Sequence, residues 1–409
     1  MHILVINVFF APNTYGGATI VAEEVAKSLV ADHGHRVSAI SAISRPDLQP
    51  YAVLKCAAGD IEHYQINLPQ GRSAAELYQN ADVAARILRI AEQIDPDLVH
   101  IHCVQDIGAD CISALKAGGF AVVLSVHDFW WICERQFMIR PNGRYCGQSP
   151  VRTSACRGCV DDFAATRVRN QMLKKLGEEA DLITYPSEFA KTLSEVSGFG
   201  VGQGAVLENG VRQPGAHFFE RQALRRAKDD RLVFGFVGGP SRIKGWPLLH
   251  RAFAGLGRDD FKGWLVDGSR DESWWRSVDF STMKGNWSVH PRFEQASIDD
   301  FYAKIDVLLF MSQWKETFGL TIREALSRGI QVIQTDSGGT TEHGAKDGVT
   351  LLPMDGRVEP LRRAIQKTLA QGQRELTPHP VASYADQANA FLELATPLLK
   401  KPHAVRSVA

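Results

Sequence analysis

Two successive series of alternating strand and helix patterns run through the 409 residues of the chain. The first series begins with the apolar run HILVINVFF at residues 2–10, and a helical pattern follows with Val21, Val25 and Leu29 on one face. A strand that is apolar along its whole length is typical of a parallel sheet covered on both faces. The repeated order of strand and helix therefore predicts an α/β protein with doubly wound sheets.

The second series begins with RLVFGFVGG at residues 231–239, after a glycine- and proline-containing stretch, NGVRQPG, at residues 209–215. We therefore predict two Rossmann-like domains, residues 1–211 and residues 212–382, which also suits the length of the chain. A last helical pattern over residues 383–409 is expected to pack back on the first domain. Two such domains are expected to face each other across a cleft at the carboxyl ends of their strands, where sheets of this type bind ligands. The polar segment 217–231 is expected to be an exposed connector or a solvated helix.

The overall charge gives no sign of a nucleic-acid partner, because Lys+Arg and Asp+Glu number 46 each. No apolar run is long enough to span a bilayer. The start of the chain lacks the basic segment and small-residue cleavage site of a signal peptide, and it is better interpreted as a buried strand. These features predict a cytoplasmic location.

Glycine-rich turns follow the first strand of each series. Gly16 and Gly17 lie between strand and helix in the first, and GGPSRIKG at residues 238–245 adds Arg242 and Lys244 in the second. Backbone N–H groups at such a turn, with two cations beside them, suit a diphosphate. The alternatives are a tight turn that needs glycine for its geometry alone and a solvated basic turn.

The stretch KETFGLTIREAL, residues 315–326, places Glu316 just ahead of a predicted helix and Glu324 inside it. Gly319 stands between the two carboxylates, beside Phe318. Farther along, the glycines of TDSGGTTE follow another buried strand. The alternative to a binding site is a pair of surface acids at the start and middle of a helix.

The segment FMSQWKETFGLTIREALSRGIQVIQTDSGGTTE, residues 310–342, resembles the signature of retaining glycosyltransferases of family 4, which have the GT-B fold. The shared pattern is a serine after a strand, two glutamates with seven residues between them around Phe-Gly, and a glycine pair ahead of a glutamate. PDLVHIHC, HDFWW, YPSEFAKTL, ENGV and GGPSRIKG extend the resemblance over most of the chain.

The resemblance implies a role for each matching residue of the second domain, the donor side. Glu324 would bind the ribose hydroxyls of a nucleotide sugar, and Glu316 would lie at the donor sugar. Lys244 would neutralise the leaving diphosphate. Three residues would present backbone N–H groups to sugar and phosphate: Phe318, Gly319 and Leu320.

In the first domain, the acceptor side, the resemblance implies that Gly17 approaches the phosphate and that His127 of HDFWW contacts the donor sugar. A histidine at a strand end also often serves only to satisfy backbone groups. The chain departs from the family at Gly239, where the family usually has an arginine. Arg242, three residues on, is the candidate replacement.

The predicted activity is retaining transfer of a sugar, of the hexosyltransferase type, from a nucleoside-diphosphate sugar to a glycan or lipid-linked glycan in polysaccharide biosynthesis. No cofactor is expected to be required for catalysis. The alternatives are a sugar-nucleotide epimerase of the same fold, a glycan phosphorylase, or a non-catalytic nucleotide-sugar binding protein. A phosphorylase would ordinarily need pyridoxal phosphate, for which no convincing lysine stands out.

Four cysteines lie in a loop-rich insert, in the spacing C-x12-C-x9-C-x2-C: Cys133, Cys146, Cys156 and Cys159. A closing CxxC with two further thiols predicts a structural zinc site, which would give order to a segment with little apolar content. The alternatives are unliganded thiols and an iron–sulfur cluster.

A basic, partly apolar helix is predicted in RVRNQMLKKLGEEADL, residues 167–182. Arg167, Arg169, Lys174 and Lys175 would bring the protein to the anionic inner face of a membrane and its lipid-linked acceptors. The alternative is a solvated face, because two glutamates follow directly.

Overall fold

The computed structural model describes residues 1–399, and the chain divides into two compact units. The first unit comprises residues 1–138, 147–210 and 382–399, and the second comprises Ile139–Cys146 and Val211–Val381. The helix predicted over residues 383–409 is present as Tyr384–Leu399, and positions 400–409 lie outside the described residues.

The first unit is built on an eight-stranded sheet in the order β3-β4-β2-β1-β5-β6-β7-β8. All neighbouring strands are parallel except β3 and β4, which are antiparallel. Its strands are β1 His2–Ile6, β2 Arg36–Ile43, β3 Val53–Ala58, β4 Ile61–Asn67, β5 Leu98–Ile101, β6 Val122–Ser125, β7 Leu182–Tyr185 and β8 Gly204–Val206. Its helices are α1 Gly17–Ala31, α2 Ala81–Ile94, α3 Asp110–Ala117, α4 Phe163–Gly177, α5 Glu188–Val196 and α11 Tyr384–Leu399.

The second unit contains a six-stranded, wholly parallel sheet in the order β11-β10-β9-β12-β13-β14. Its strands are β9 Val233–Phe236, β10 Lys262–Val266, β11 Asn286–His290, β12 Val307–Phe310, β13 Gln331–Thr335 and β14 Val349–Leu352. Its helices are α6 Phe218–Lys228, α7 Trp246–Ala254, α8 Ile298–Tyr302, α9 Leu320–Leu326 and α10 Val358–Gln371.

Strand β9 shows why an uninterrupted apolar run suits this sheet. Phe234 and Phe236 pack on one face with Leu249 of α7, whereas Val233 packs on the other face with Ile322 of α9. Because successive side chains of a strand point to opposite faces and helices cover both faces, every position of the strand is buried.

The helix α11 completes the first unit from the far end of the sequence. It packs against α1, and its Phe391 ring stacks on His100 of β5 at 4.2 Å between centroids. Gln387 accepts a hydrogen bond from the backbone N–H of Gly210 at 2.7 Å. The first unit is therefore made from both ends of the described chain.

One element of the first unit was not predicted. The β3–β4 hairpin was missed because β3 is largely exposed and lacks an apolar stripe. Of the two expectations for the polar segment 217–231, the helix is the correct one, because the segment contains the largely exposed helix α6. Arg225 and Arg226 of this helix bind the buried carboxylate of Asp306 at 2.6 and 2.9 Å.

Candidate functional site

The two halves of the second sheet extend in opposite directions from the neighbouring strands β9 and β12. Such a switch point in strand order leaves a crevice at the carboxyl ends of the two strands, and open α/β sheets bind ligands there. The turn after β9 carries Lys244, and the loop after β12 carries Glu316. The residues singled out in the sequence therefore meet at the position that the topology favours for a ligand.

The turn after β9 is tightly constrained. A Cβ atom on Gly238 would lie 2.7 Å from the ring of Phe236, and one on Gly245 would lie 2.1 Å from the carbonyl oxygen of Met311. Gly245 also has φ +82°, a conformation that side chains disfavour. The backbone N–H of Gln313 donates to the carbonyl of Ile243 at 2.7 Å, which ties this turn to the loop after β12.

Glu316 is held by its backbone on both sides. Its N–H donates to the carbonyl of Ser337 at 2.8 Å, and its own carbonyl accepts from Gly339 N–H at 3.0 Å. These bonds form an isolated parallel bridge between Glu316 and Gly338. The carboxylate is thereby fixed at the switch point before any ligand arrives, as catalytic and binding groups require.

Lys244 and Glu316 form an ion pair, with 2.9 Å between Nζ and Oε1. Ser312 donates its hydroxyl hydrogen to the same carboxylate oxygen at 2.6 Å. The Lys244 ammonium also lies 5.6 Å from the ring centroid of Trp314 and 6.0 Å from that of Phe310. The lysine side chain is 31% exposed and the glutamate side chain 13%, so both groups remain within reach of a ligand.

Gly319 is the residue directly before helix α9, with φ +85°, and a Cβ there would lie 3.0 Å from Thr340. Glycine is therefore needed for the chain to enter this helix beside Phe318 and Leu320. The loop is braced by the buried Arg323, which donates to the carbonyl of Phe318 at 2.6 Å and lies 3.6 Å from the centroid of the Phe318 ring. Sequence reasoning did not identify Arg323, although its place next to Glu324 was visible.

Glu324 is buried, with only 3% of its surface exposed. Its Oε2 atom accepts a hydrogen bond from the hydroxyl of Tyr302 at 2.8 Å, and burial raises the pKa of the carboxyl group. A buried carboxylate needs such a donor, because an unpaired charge away from water is costly. The predicted contact between Glu324 and a ribose stays a prediction, and Tyr302 is a partner that the sequence did not reveal.

Arg242 lies on the same turn as Lys244. The side chain of Arg242 is exposed. It lies near the hairpin formed by residues 139–146 of the same unit, where a Cβ atom on Gly143 would be 3.8 Å from the Cδ atom of Arg242. At Gly239, where the family usually has arginine, φ is +65° and a Cβ would lie 2.7 Å from Trp274. Arg242 as a replacement for that arginine therefore stays a prediction, and Trp274 occupies the space in front of Gly239.

In the first unit, Gly17 begins helix α1, directly after Gly16 with φ +81°. Both glycines are exposed, and a Cβ on Gly16 would meet no atom within 4 Å. The left-handed conformation of Gly16, rather than crowding, therefore accounts for glycine at that position. The phosphate contact predicted for Gly17 stays a prediction.

His127 follows strand β6 and is part of a cluster of histidines. Its Nε2 atom is hydrogen-bonded to Nδ1 of His102 at 2.8 Å, and the rings of His102 and His100 are 4.0 Å apart. Burial lowers the pKa of His127 to about 4. His127 is therefore neutral at pH 7 and suited to hydrogen bonding rather than to binding a phosphate by charge.

The four cysteines of the insert are all partly exposed. Cys146 belongs to the hairpin assigned to the second unit, whereas the other three belong to the first unit. Over residues 1–399, no group of three or more His, Cys, Asp or Glu side chains is arranged to hold a metal ion. Zinc binding by Cys133, Cys146, Cys156 and Cys159 accordingly stays a prediction for metal analysis.

The helix with the basic residues, α4, differs in part from its expected orientation. Arg169 is buried, donates to the carbonyl of Trp130 at 2.9 Å and lies 4.9 Å from the Trp130 ring. Arg169 was therefore wrongly assigned to the membrane-facing set. Arg167, Lys174 and Lys175 are exposed. In the described part of the chain, none of the helices is long and apolar enough to cross a membrane.

Two family models account for most of the chain. Residues 15–214 match the model described as Glycosyltransferase Family 4, and residues 231–371 match Glycosyl transferases group 1. The chain belongs to glycosyltransferase family 4. The resemblance inferred from the sequence is thus confirmed. This glycosyltransferase is also 23% identical over 365 residues to an uncharacterized 42.6 kDa protein in the cps region of Klebsiella pneumoniae, covering 84% of the present chain and 87% of that protein.

Solved structures of low sequence identity share the fold of the chain. Sucrose-phosphate synthase from Thermosynechococcus elongatus has a TM-score of 0.64 at 17% identity, covering 97% of the glycosyltransferase and 96% of that chain. HepE from Anabaena, solved with UDP, has a TM-score of 0.61 at 16% identity, covering 98% of the glycosyltransferase and 97% of the HepE chain. The catalytic domain of starch synthase IV from Arabidopsis thaliana, bound to ADP and acarbose, has a TM-score of 0.63 at 14% identity. The match covers 97% of the glycosyltransferase and 99% of the synthase chain. The predicted fold class, two Rossmann-like domains of the GT-B type, is confirmed.

Proposed function

We propose that this glycosyltransferase moves a sugar from a nucleoside-diphosphate sugar to a glycan or lipid-linked glycan, with retention of configuration at the anomeric carbon. The observation that carries the proposal is the Lys244–Glu316 ion pair at the switch point of the second sheet. A cation and a carboxylate fixed side by side suit the two ends of the reacting bond, where a diphosphate leaves and a sugar becomes positively charged.

The chemistry follows from where charge develops. The bond between the anomeric carbon and the phosphate oxygen breaks through an oxocarbenium-like transition state. Negative charge grows on the diphosphate, so Lys244 interacts more strongly with the transition state than with the bound donor. In the retaining reaction, the leaving phosphate oxygen accepts the proton of the acceptor hydroxyl, and the new glycosidic bond forms on the same face. Glu316 orients the donor sugar and stabilises its positive charge.

The nature of the donor and acceptor is supported by the relatives. HepE and starch synthase IV were solved with UDP and ADP, respectively, which supports a nucleoside diphosphate as the leaving group here. The Klebsiella relative comes from a cps region, which supports a role in polysaccharide biosynthesis. We expect catalysis to need no cofactor.

Turnover of nucleotide sugars with and without candidate acceptors tests the proposal. Transfer that requires an acceptor is the expected result, whereas conversion of the donor alone would favour the epimerase alternative. Binding without any turnover would favour a non-catalytic nucleotide-sugar binding protein.

Lys244→Ala tests the mechanism within the same assay. We expect this variant to lower kcat more than it weakens acceptor binding, because the charge acts during bond breaking. Lys315→Ala is a matched control, since Lys315 lies in the same loop as Glu316 and pairs with Asp336 at 3.1 Å. A wild-type kcat for Lys244→Ala would remove Lys244 from the leaving-group role.

The location that we propose is the cytoplasm, with peripheral contact at the inner face of the membrane. Arg167, Lys174 and Lys175 on α4 form an exposed basic face, and anionic lipid attracts such clusters. Flotation with anionic liposomes tests the contact, with charge reversal at Lys174 and Lys175 as the variant. If the protein shows no salt-sensitive binding to these liposomes, the proposed membrane contact is wrong.

A further inference from the structure

Two consecutive tryptophans after strand β10 have different environments. Trp275 is buried, donates its indole N–H to the carbonyl of Val266 at 2.9 Å, and packs against Trp246 at 4.8 Å between centroids. Trp274, its neighbour, is 38% exposed. Packing in the core therefore explains why residue 275 is a tryptophan, whereas Trp274 contributes much less to the core.

The six-membered ring of Trp274 lies on two glycines at the carboxyl ends of neighbouring strands. A Cβ on Gly239, after β9, would be 2.7 Å from its Cε3 atom, and a Cβ on Gly268, after β10, would be 2.6 Å from its Cη2 atom. Strands β9 and β10 are parallel neighbours, so both glycines lie at the edge of the sheet that carries the candidate site. Glycine at these positions gives the indole room to rest against the backbone.

The loop that carries Trp274 is fixed by the buried Asp267. Its Oδ2 atom accepts from the backbone N–H of Trp274 at 3.1 Å, and its Oδ1 atom accepts from the N–H of Ser269 at 2.9 Å. The hydroxyl of Ser269 in turn accepts from the N–H of Ser273 at 2.8 Å. The backbone that carries the indole is therefore held in position before a ligand binds, which lowers the entropic cost of binding.

Trp274 also adjoins the turn that carries Lys244. A Cβ on Gly238, the residue before Gly239, would lie 3.1 Å from the Cβ atom of Lys244. The side chain of Lys244 and the exposed indole thus start from the two ends of the Gly238–Gly239 pair. A ligand that uses both must combine an anionic group with a flat, polarizable ring, which is the chemistry of a nucleoside diphosphate.

We propose that Trp274 is the surface on which the nucleobase of the nucleoside diphosphate stacks, an inference that rests on the proposed function. It gives a physical reason for the departure from the family at Gly239, since any side chain at that position would displace the indole. Stacking on an aromatic ring tolerates every base, because every base has a π-face. Trp274 therefore contributes affinity for the nucleoside and leaves the choice among bases to other groups.

Calorimetric titration with a panel of nucleoside diphosphates, and with inorganic pyrophosphate, tests the assignment. We expect Trp274→Leu, which keeps apolar volume but has no π-system, to bind nucleoside diphosphates about 5- to 150-fold more weakly, the range for loss of one base–aromatic stack. Trp274→Phe should keep most of the affinity. Pyrophosphate, which has no base, should bind both variants as it binds the wild type.

The controls distinguish this proposal from the proposed function itself. Leu224→Ala removes an apolar side chain that is 55% exposed on α6 of the same unit and should bind like the wild type. If the wild-type protein binds no nucleoside diphosphate, both proposals are wrong. If it binds one and Trp274→Leu binds equally well, or loses pyrophosphate to the same extent, only the stacking role is refuted.

Discussion

Replacing Glu316 by glutamine removes the charge that neutralises Lys244 while keeping the shape of the side chain. The backbone bridge to Gly338 and the hydrogen bond from Ser312 remain possible in this variant. Since Lys244 then has no anionic partner in the loop, a diphosphate gains an unopposed cation. We expect Glu316→Gln to bind nucleoside diphosphates more tightly than the wild type, although it transfers sugar more slowly.

The size of the effect follows from the geometry of the pair. A phosphate on the far side of the ammonium, which itself lies 2.9 Å from the carboxylate oxygen, would be about 6 Å from that oxygen. At an effective dielectric constant of about 20, two unit charges at this separation repel by roughly 3 kcal/mol. Because both side chains are partly exposed, solvent and ions reduce this to about 1–2 kcal/mol, or about 5- to 30-fold in affinity.

Turnover should change in the opposite direction. In the proposed mechanism the carboxylate stabilises positive charge on the donor sugar only as the bond breaks, and loss of one preorganised electrostatic group lowers kcat by about 100- to 1000-fold. The assay pairs calorimetry of nucleoside diphosphates at low and high salt with acceptor-dependent transfer. The gain in affinity should shrink at high salt.

Ser312→Ala is the control, because it removes a hydrogen bond to Glu316 but leaves the charge. Its affinity for nucleoside diphosphates should not rise. Equal or weaker binding by Glu316→Gln would refute the reasoning, because it would show that the carboxylate does not face the phosphates.

Four further predictions concern single positions. Glu324→Gln should weaken binding of nucleoside diphosphates by roughly 1.5–3 kcal/mol if the carboxylate binds the ribose, and unchanged calorimetric affinity would exclude that role. Arg242→Ala should lower transfer if this exposed residue replaces the family arginine, whereas kinetics like those of the wild type would identify it as a surface residue. If the four cysteines bind zinc, elemental analysis of the purified protein should find about one zinc per chain, and the Cys156→Ser variant should lose it. A zinc content near zero, with the thiols of the insert titratable, would show that these cysteines are unliganded. Burial lowers the pKa of His127 to about 4 in the folded protein, against about 6.5 in the unfolded chain, so the unfolded state binds the proton first as pH falls. The contribution of His127 to the free energy of unfolding should therefore decrease by at most ~3 kcal/mol between pH 6.5 and 4. Urea unfolding of His127→Gln should show a shallower decrease than that of the wild type.

The sequence predicted those parts of the fold and site that depend on local pattern. The buried strand β9, with every side chain apolar and a glycine pair after it, indicated a parallel strand followed by a tight turn. The spacing of Glu316, Gly319 and Glu324 was distinctive enough to indicate the family. In these cases the signal lies in neighbouring residues, where single-sequence reasoning is strongest.

Contacts between distant segments were not predictable in this way. Tyr302 of α8 meets Glu324 of α9, and Trp274 meets Gly239, only because the topology brings together segments that are distant in the sequence. Arg169 was assigned to a basic surface because arginine is usually exposed, yet its guanidinium lies against Trp130 in the structure. Strand β3 was not predicted because it is a largely exposed edge strand, in which apolar and polar residues do not alternate.

The position of α11 has a consequence for the order in which the protein forms during synthesis. The strands of the first unit leave the ribosome early, but the helix that covers α1 and His100 follows about 170 residues after Gly210, a delay of roughly 10–35 s at ordinary rates of translation. Throughout that interval the second unit is emerging and can fold, because its two segments lie upstream of Ala382. The first unit thus begins to fold first and completes its fold last. The apolar face of α1 needs protection from aggregation until α11 has been synthesised.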